Sequence, residues 1–390
     1  MASKTTSPVD HPRVIAATFA LGALAAFVAY TMPIWLGLVA EQYSMSEAEV
    51  GILSAIYFGA FALSALSSVV WSRSINWRYL GSASALLFGL GFLTGALVPG
   101  KTALIFGMIV AGAGGGALLS LSYTITSDMT DVDRKLGLKI LVEQLYPALL
   151  VYLYSILFAE QWQMREAFVA IAAVILSTGT VSFMLPVGND HVRDPTVAKT
   201  QASGAWVFIA LLAVTMFFGG FIVFWTFFGG LGQANGFSAA TISKWVAVGI
   251  LTYGGGGLLT ALLGDRVGRV LPIGIASIAT VVPLIFLAIK VDMWQFALAA
   301  AVMPAANAFG LAYQQGFVAL TDVTGRFASL IAAAVALAAM ASTAIGGVLI
   351  ETYGYRGLYV FVAGLTFVAL GLCIWLSIRM HDAEYAADTA

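Results

Sequence analysis

Twelve nearly unbroken apolar runs divide the sequence, at 14–40, 48–71, 79–98, 102–127, 136–158, 166–186, 205–233, 240–263, 270–289, 293–320, 327–350 and 356–379. A helix needs roughly 20 apolar residues to cross the hydrocarbon core of a bilayer, so each run is long enough to span one. Barrel strands are excluded, because they alternate in polarity and are about half as long. Only 9% of the 390 residues are charged and 61% are hydrophobic, whereas a soluble domain carries about 25% charge. So little charge cannot coat a globule in water, which excludes a secreted enzyme, a nucleic-acid binder and a cytosolic dehydrogenase. The surface faces lipid.

The connections set an orientation. With the N-terminus inside, 13 of the 18 Lys and Arg residues fall on the cytoplasmic side and 5 outside, in the direction of the positive-inside rule. Both termini are then cytoplasmic, in the inner membrane of the cell. No cleavable signal peptide is expected, since Met1 to Arg13 is polar and the apolar run that follows is too long for one. The single cysteine, Cys373, excludes an intramolecular disulfide.

A polar stretch from Val187 to Gly204, with Asn189, Asp190, Arg193, Pro195 and Lys199, lies midway along the chain. It reads as a cytoplasmic linker between residues 1–186 and 205–390, six spans each. The halves echo one another. Tyr43-Ser44-Met45-Ser46 matches Asn235-Gly236-Phe237-Ser238, Thr130-Asp131-Val132 matches Thr321-Asp322-Val323, and Arg134 matches Arg326, all at an offset of 191 or 192. Ser46 and Ser238 each stand where a helix cap is needed, and Ser46 with Glu49 has capping-box spacing. The fold expected is an all-α membrane protein with two six-helix bundles in a parallel repeat, with the substrate path between them.

Asp265-Arg266-Val267-Gly268-Arg269, between spans eight and nine, resembles the G-x-x-x-D-R-x-G-R loop of the major facilitator superfamily of secondary transporters, with Ala261 in place of the first glycine. The resemblance extends over essentially the whole chain. It implies alternating access, with Asp265, Arg266, Gly268 and Arg269 latching the cytoplasmic gate. The corresponding loop of the first half, Trp71 to Arg78, keeps Arg73 and Arg78 but lacks the Asp and Gly, so a latch there draws on Asp128, Asp131 or Asp133. Two features depart from the family pattern. Met108, four residues before Gly112, stands where many proton-coupled members carry an arginine. Span five, around Glu143 to Leu150, keeps Pro147 but not the glycines of drug–proton antiporters.

A charge at bilayer depth is costly and is a functional candidate by default. Glu143 lies nine residues beyond Arg134, about 14 Å along a helix, near the middle of the membrane. Its ionised form is poorly solvated there, which makes it the candidate proton-coupling group. Lys139, one turn earlier, can pair with it. No Lys or Arg is expected at mid-depth, which disfavours multiply charged anions. Asn307 and Gln314, seven residues apart in span ten, share a face and serve either a substrate or helix packing. Tyr30, Tyr123, Tyr146 and Trp225 are the aromatic candidates for a cavity with apolar walls and a few polar donors, and Phe221 and Phe228 share a face with Trp225. The glycine runs 112–116 and 254–257 precede no Gly-Lys-Ser/Thr and serve close packing. Pro33, Pro147, Pro283 and Pro304 are expected to kink their helices.

No enzyme signal competes. His11, His191 and His381 lie in terminal or linker segments, and metal-ligand and Walker motifs are missing from the sequence, so no cofactor, metal or nucleic acid is expected. A channel lacks a ring of filter residues. The expectation is a monomeric secondary transporter carrying out proton-coupled uptake of a small, partly apolar solute such as an aromatic or other monocarboxylic acid. The alternative is proton-coupled efflux of lipophilic or cationic compounds.

Overall fold

A computed structural model describes residues 8–130, 132–187, 204–321 and 331–388, apart from a few side chains within them. Thirteen α-helices and no strand are found among these residues. In chain order they are α1 (Pro12–Tyr30), α2 (Met32–Tyr43), α3 (Glu47–Trp71), α4 (Trp77–Leu97), α5 (Lys101–Ser127), α6 (Val132–Leu157) and α7 (Met164–Gly179), then α8 (Gly204–Ala234), α9 (Ala239–Leu263), α10 (Val270–Ile289), α11 (Met293–Thr321), α12 (Ile331–Tyr353) and α13 (Tyr355–Asp388). Twelve are long and apolar enough to cross a membrane. Most of the linker, together with Asp131, Asp322, Arg326 and the Arg134 and Asp133 side chains, lies outside the described residues.

The first span is two helices rather than one. It breaks at Thr31, two residues before Pro33, whose ring and missing N–H weaken the helical ladder there. A break inside lipid frees carbonyls that need partners. Two indoles supply them: Trp35 Nε1 donates to the Val28 carbonyl and Trp225 Nε1 to that of Tyr30, each at 3.0 Å. Pro147, Pro283 and Pro304 sit inside α6, α10 and α11. Ser46 forms the capping box with Glu49, and Ser238 caps α9 through the Thr241 amide. The glycines of α5 serve close packing, since a Cβ on Gly112 or Gly116 would lie 2.3 Å from the carbonyl of Tyr57 or Phe61 on α3.

Twelve crossings bring the start of α1, the end of α7, the start of α8 and the end of α13 to one side, the terminal face. The hydrophobic core is unequal between the two faces. Near the far face, Phe221 to Leu231 of α8, Ile242 to Ile250 of α9 and Phe296 to Met303 of α11 join one core with the first-half helices. Toward the terminal face, Val207 to Phe217 of α8 and Phe309 to Val318 of α11 form a separate core confined to the second half. The halves are fused at the far face and part toward the terminal face.

Candidate functional site

The two charged residues buried among the described residues lie together on α6. Lys139 and Glu143, one helical turn apart, form an ion pair with no exposure of the lysine and 5% of the glutamate. The expectation that no Lys or Arg lies within the membrane does not hold for Lys139, which falls inside the fifth span, near its Leu138 end, and is fully buried. Two neighbours make that burial tolerable. Glu143 supplies the opposite charge, and the Tyr123 ring from α5 covers the ammonium, with Nζ 3.6 Å from the ring centroid. Tyr123 itself keeps 39% exposure.

Small residues make room for these groups. A Cβ on Gly22 of α1 would stand 2.6 Å from Glu143 Oε1, 2.8 Å from Ser122 Oγ and 2.9 Å from Lys139 Cε. Ser122 is turned away to the Thr18 carbonyl at 2.9 Å. One residue further along α6, the Gln144 amide donates to the Tyr30 hydroxyl at 2.7 Å. Tyr30 meets Tyr253 of α9 edge-on, 5.6 Å between centroids. Tyr253 packs on Phe221, which stacks on Trp225 at 5.9 Å. First-half polar groups therefore face a second-half aromatic wall.

The sequence candidates divide accordingly. Glu143, Lys139, Tyr30, Tyr123 and Trp225 come together. Tyr146 does not join them; its hydroxyl bonds Thr178 of α7 at 2.9 Å, inside the first half. Asn307 and Gln314 are each 1% exposed and stand outside the hydrogen-bonded cluster, with Asn307 Oδ1 and both polar atoms of Gln314 lacking a partner. Tyr253 and Gln144 were not among the candidates. Tyr253 abuts the Gly254–Gly257 run, and Gly254 lies against Gln144, with 3.3 Å from its ideal Cβ to the Gln144 side chain. An aromatic residue beside a run of glycines marks a helix crossing with a ring pointed at it.

The ends of the helices hold the halves differently. At the far face, Glu351 of α12 accepts from Ser46 Oγ at 2.9 Å and from the Ala48 amide at 3.2 Å, sitting on the N-terminus of α3. Tyr355 donates to Glu47 at 2.9 Å, and Glu160 accepts from the Ala240 amide at 3.0 Å. A cavity of about 630 Å³ opens beside them, lined in part by Glu41, Glu47 and Gln233. At the terminal face the described polar contacts stay within a half. Arg73 makes a two-bond pair with Asp128 at 2.9 and 3.1 Å, and Arg78 donates to the Leu185 carbonyl. Of the three carboxylates considered for Arg73, the described partner is Asp128. In the second half Gly268 has φ +65°, Arg266 is exposed, and Arg269 lies over Gly316 of α11. The Asp265 side chain lies outside the described residues.

Three solved structures share this arrangement of helices. A nucleoside transporter, NupG, superposes with a TM-score of 0.77 at 12% identity, over 93% of this chain and 99% of its own. A D-xylose–proton symporter gives 0.77 at 13% identity, over 92% and 96%. A peptide transporter, POT, gives 0.69 at 15%, over 95% of each. At such identities the likeness is one of fold. No curated protein matches the sequence. The family model of the Major Facilitator Superfamily matches residues 16–229, and with twelve membrane-capable helices in two bundles the chain belongs to that superfamily of membrane transporters.

Proposed function

We propose that this transporter works by alternating access as a proton-coupled symporter, taking up a small, partly apolar organic solute such as an aromatic or other monocarboxylic acid. The observation that carries the reading is the buried Lys139–Glu143 pair, set between Tyr123, Tyr30 and the second-half aromatic wall. A carboxylate that can be neutralised by a proton, held where the two halves meet, is the part such a cycle requires. The aromatic residues offer apolar walls, and Gln144 with the tyrosine hydroxyls offers the few polar donors that fix a ligand.

On this reading the terminal face is cytoplasmic, in keeping with the distribution of Lys and Arg. The far-face contacts Glu351–Ser46 and Glu47–Tyr355 then close the outer gate, and the conformation is inward-facing. Asp265, Arg266, Gly268 and Arg269, with Arg73 and Arg78 in the first half, act in the cytoplasmic gate when the other side opens. The working unit is a monomer in the inner membrane, with protons and the small solute as its ligands.

Efflux of lipophilic or cationic compounds is the second reading, and the acidic lining of the far-face cavity, Glu41 and Glu47, is what favours it. Proton flux separates the two. Adding candidate monocarboxylates outside right-side-out vesicles that contain the protein should draw protons inward. Outward solute movement coupled to inward protons contradicts uptake and supports efflux.

A further inference from the structure

We propose that Lys139 is the group that binds the substrate carboxylate, and that Glu143 occupies its place in the empty protein, so that one proton and one monoanion enter together. The inference rests on the uptake reading and adds to it the chemical class, the charge and the atom that recognises it.

The charges around the pair leave little choice. Helices α1, α5 and α9 pack against α6. Their only ionisable side chains near the pair are Tyr30, Tyr123 and Tyr253, while Arg13, Lys101 and Lys244 stand at or near the helix ends. Lys139 and Glu143 therefore neutralise each other without outside help. If Glu143 takes a proton, its bond to Nζ loses its charge and Lys139 is left as an unpaired cation in a site with no exposure. An uncompensated buried charge is strongly disfavoured. A substrate carboxylate restores neutrality by taking Nζ as Glu143 gives it up.

The accounting selects the substrate. The pair alone sums to zero, and so does the pair with one proton and one monocarboxylate. A neutral solute arriving with a proton leaves one positive charge, and a dicarboxylate leaves one negative charge. Both are costly in the same surroundings. The cycle moves no net charge. Tyr123, lying over Nζ and itself 39% exposed, is the point of approach in this proposal, and the rings of Tyr253, Phe221 and Trp225 receive the apolar part of the acid.

Binding to the purified protein tests this with benzoate, formate and acetate as monoanions, benzamide as the neutral isostere and phthalate as the dianion. While Glu143 is ionised in the free protein, uptake of one proton per anion makes benzoate affinity rise about tenfold per unit fall in pH. Glu143→Gln should bind benzoate with no such slope and at the wild-type low-pH affinity. Lys139→Gln should lose at least tenfold in benzoate binding. A wild-type slope retained in Glu143→Gln means that neutral benzoic acid is the bound form and overturns the proposal. Wild-type benzoate affinity in Lys139→Gln overturns it, as does failure of the wild-type protein to bind any of the three monoanions at low pH. Should Glu143→Gln not fold, the double variant with Lys139→Gln is neutral by construction, and benzoate binding to it at wild-type strength overturns the proposal. If the predicted binding pattern holds but benzoate draws no protons into vesicles, the uptake reading fails and the site assignment stands.

Discussion

The Trp225 indole of the second half donates to the Tyr30 carbonyl at the point where the first span breaks. The bond joins the two halves through backbone that the break at Thr31 left without a helical partner. Trp225→Phe keeps the stacking on Phe221 and Phe228 but leaves that carbonyl unpaired. The expected loss is about 1–3 kcal/mol, the cost of stranding a buried acceptor, read as a lower thermal midpoint in detergent together with slower transport. A midpoint equal to wild type would mean that the bond does not hold the break together.

Gly22 is the floor under the ion pair. Gly22→Ala places a methyl group against Glu143 Oε1 and Lys139 Cε and should cost about 1–3 kcal/mol by overpacking, with transport falling further than the amount of folded protein. Gly274→Ala, where nothing lies within 4 Å of the added carbon, is the matched control and should leave both unchanged. Equal behaviour of the two variants would show that the pair tolerates displacement.

Glu351 bonds the first turn of α3 from across the interface, and its charge suits the positive end of that helix. Glu351→Gln keeps the shape but removes the charge, worth about 0.3–1 kcal/mol. Spin labels on the exposed residues Gln42 and Tyr353, one in each half, should report a larger population at long distance. An unaltered distribution would remove Glu351 from the gate.

Asp265 lies in a short 3-10 turn, Gly264–Val267, followed by Gly268 at φ +65°, with an exposed arginine and a second arginine laid over α11. Asp265→Asn should lower the transport rate more than it lowers protein abundance if, as proposed, the motif acts in the cytoplasmic gate of the opposite conformation. Cysteine labelling of both vestibules checks it, and unchanged accessibility on both sides would reduce the motif to a topogenic turn.

Much of the fold was legible because lipid imposes it: runs of about 20 apolar residues have few alternatives to a spanning helix. Pro33 announced a kink, but the break at Thr31 also engages the Trp225 indole, which only tertiary packing brings near. Glu143 and Lys139 were legible because a charge inside an apolar run is conspicuous. Tyr253 was not, since one tyrosine among many aromatic residues carries no signal until α9 is laid beside α1. Tyr146 shows the opposite limit. Its depth matches that of the cluster, but its helical phase turns the hydroxyl to Thr178. Asn307 and Gln314 keep their shared face, and their unpartnered atoms mark a second polar position on α11.

Uphill accumulation by Glu143→Gln in liposomes tests the central claim most directly. The variant retains Lys139 and the aromatic wall but has no carboxylate beside Lys139 to neutralise and release with each cycle. With an inward proton gradient it should fail to concentrate a transported monocarboxylate, while counterflow exchange of the same solute continues. Accumulation against a gradient with normal pH dependence would contradict the account and place coupling elsewhere.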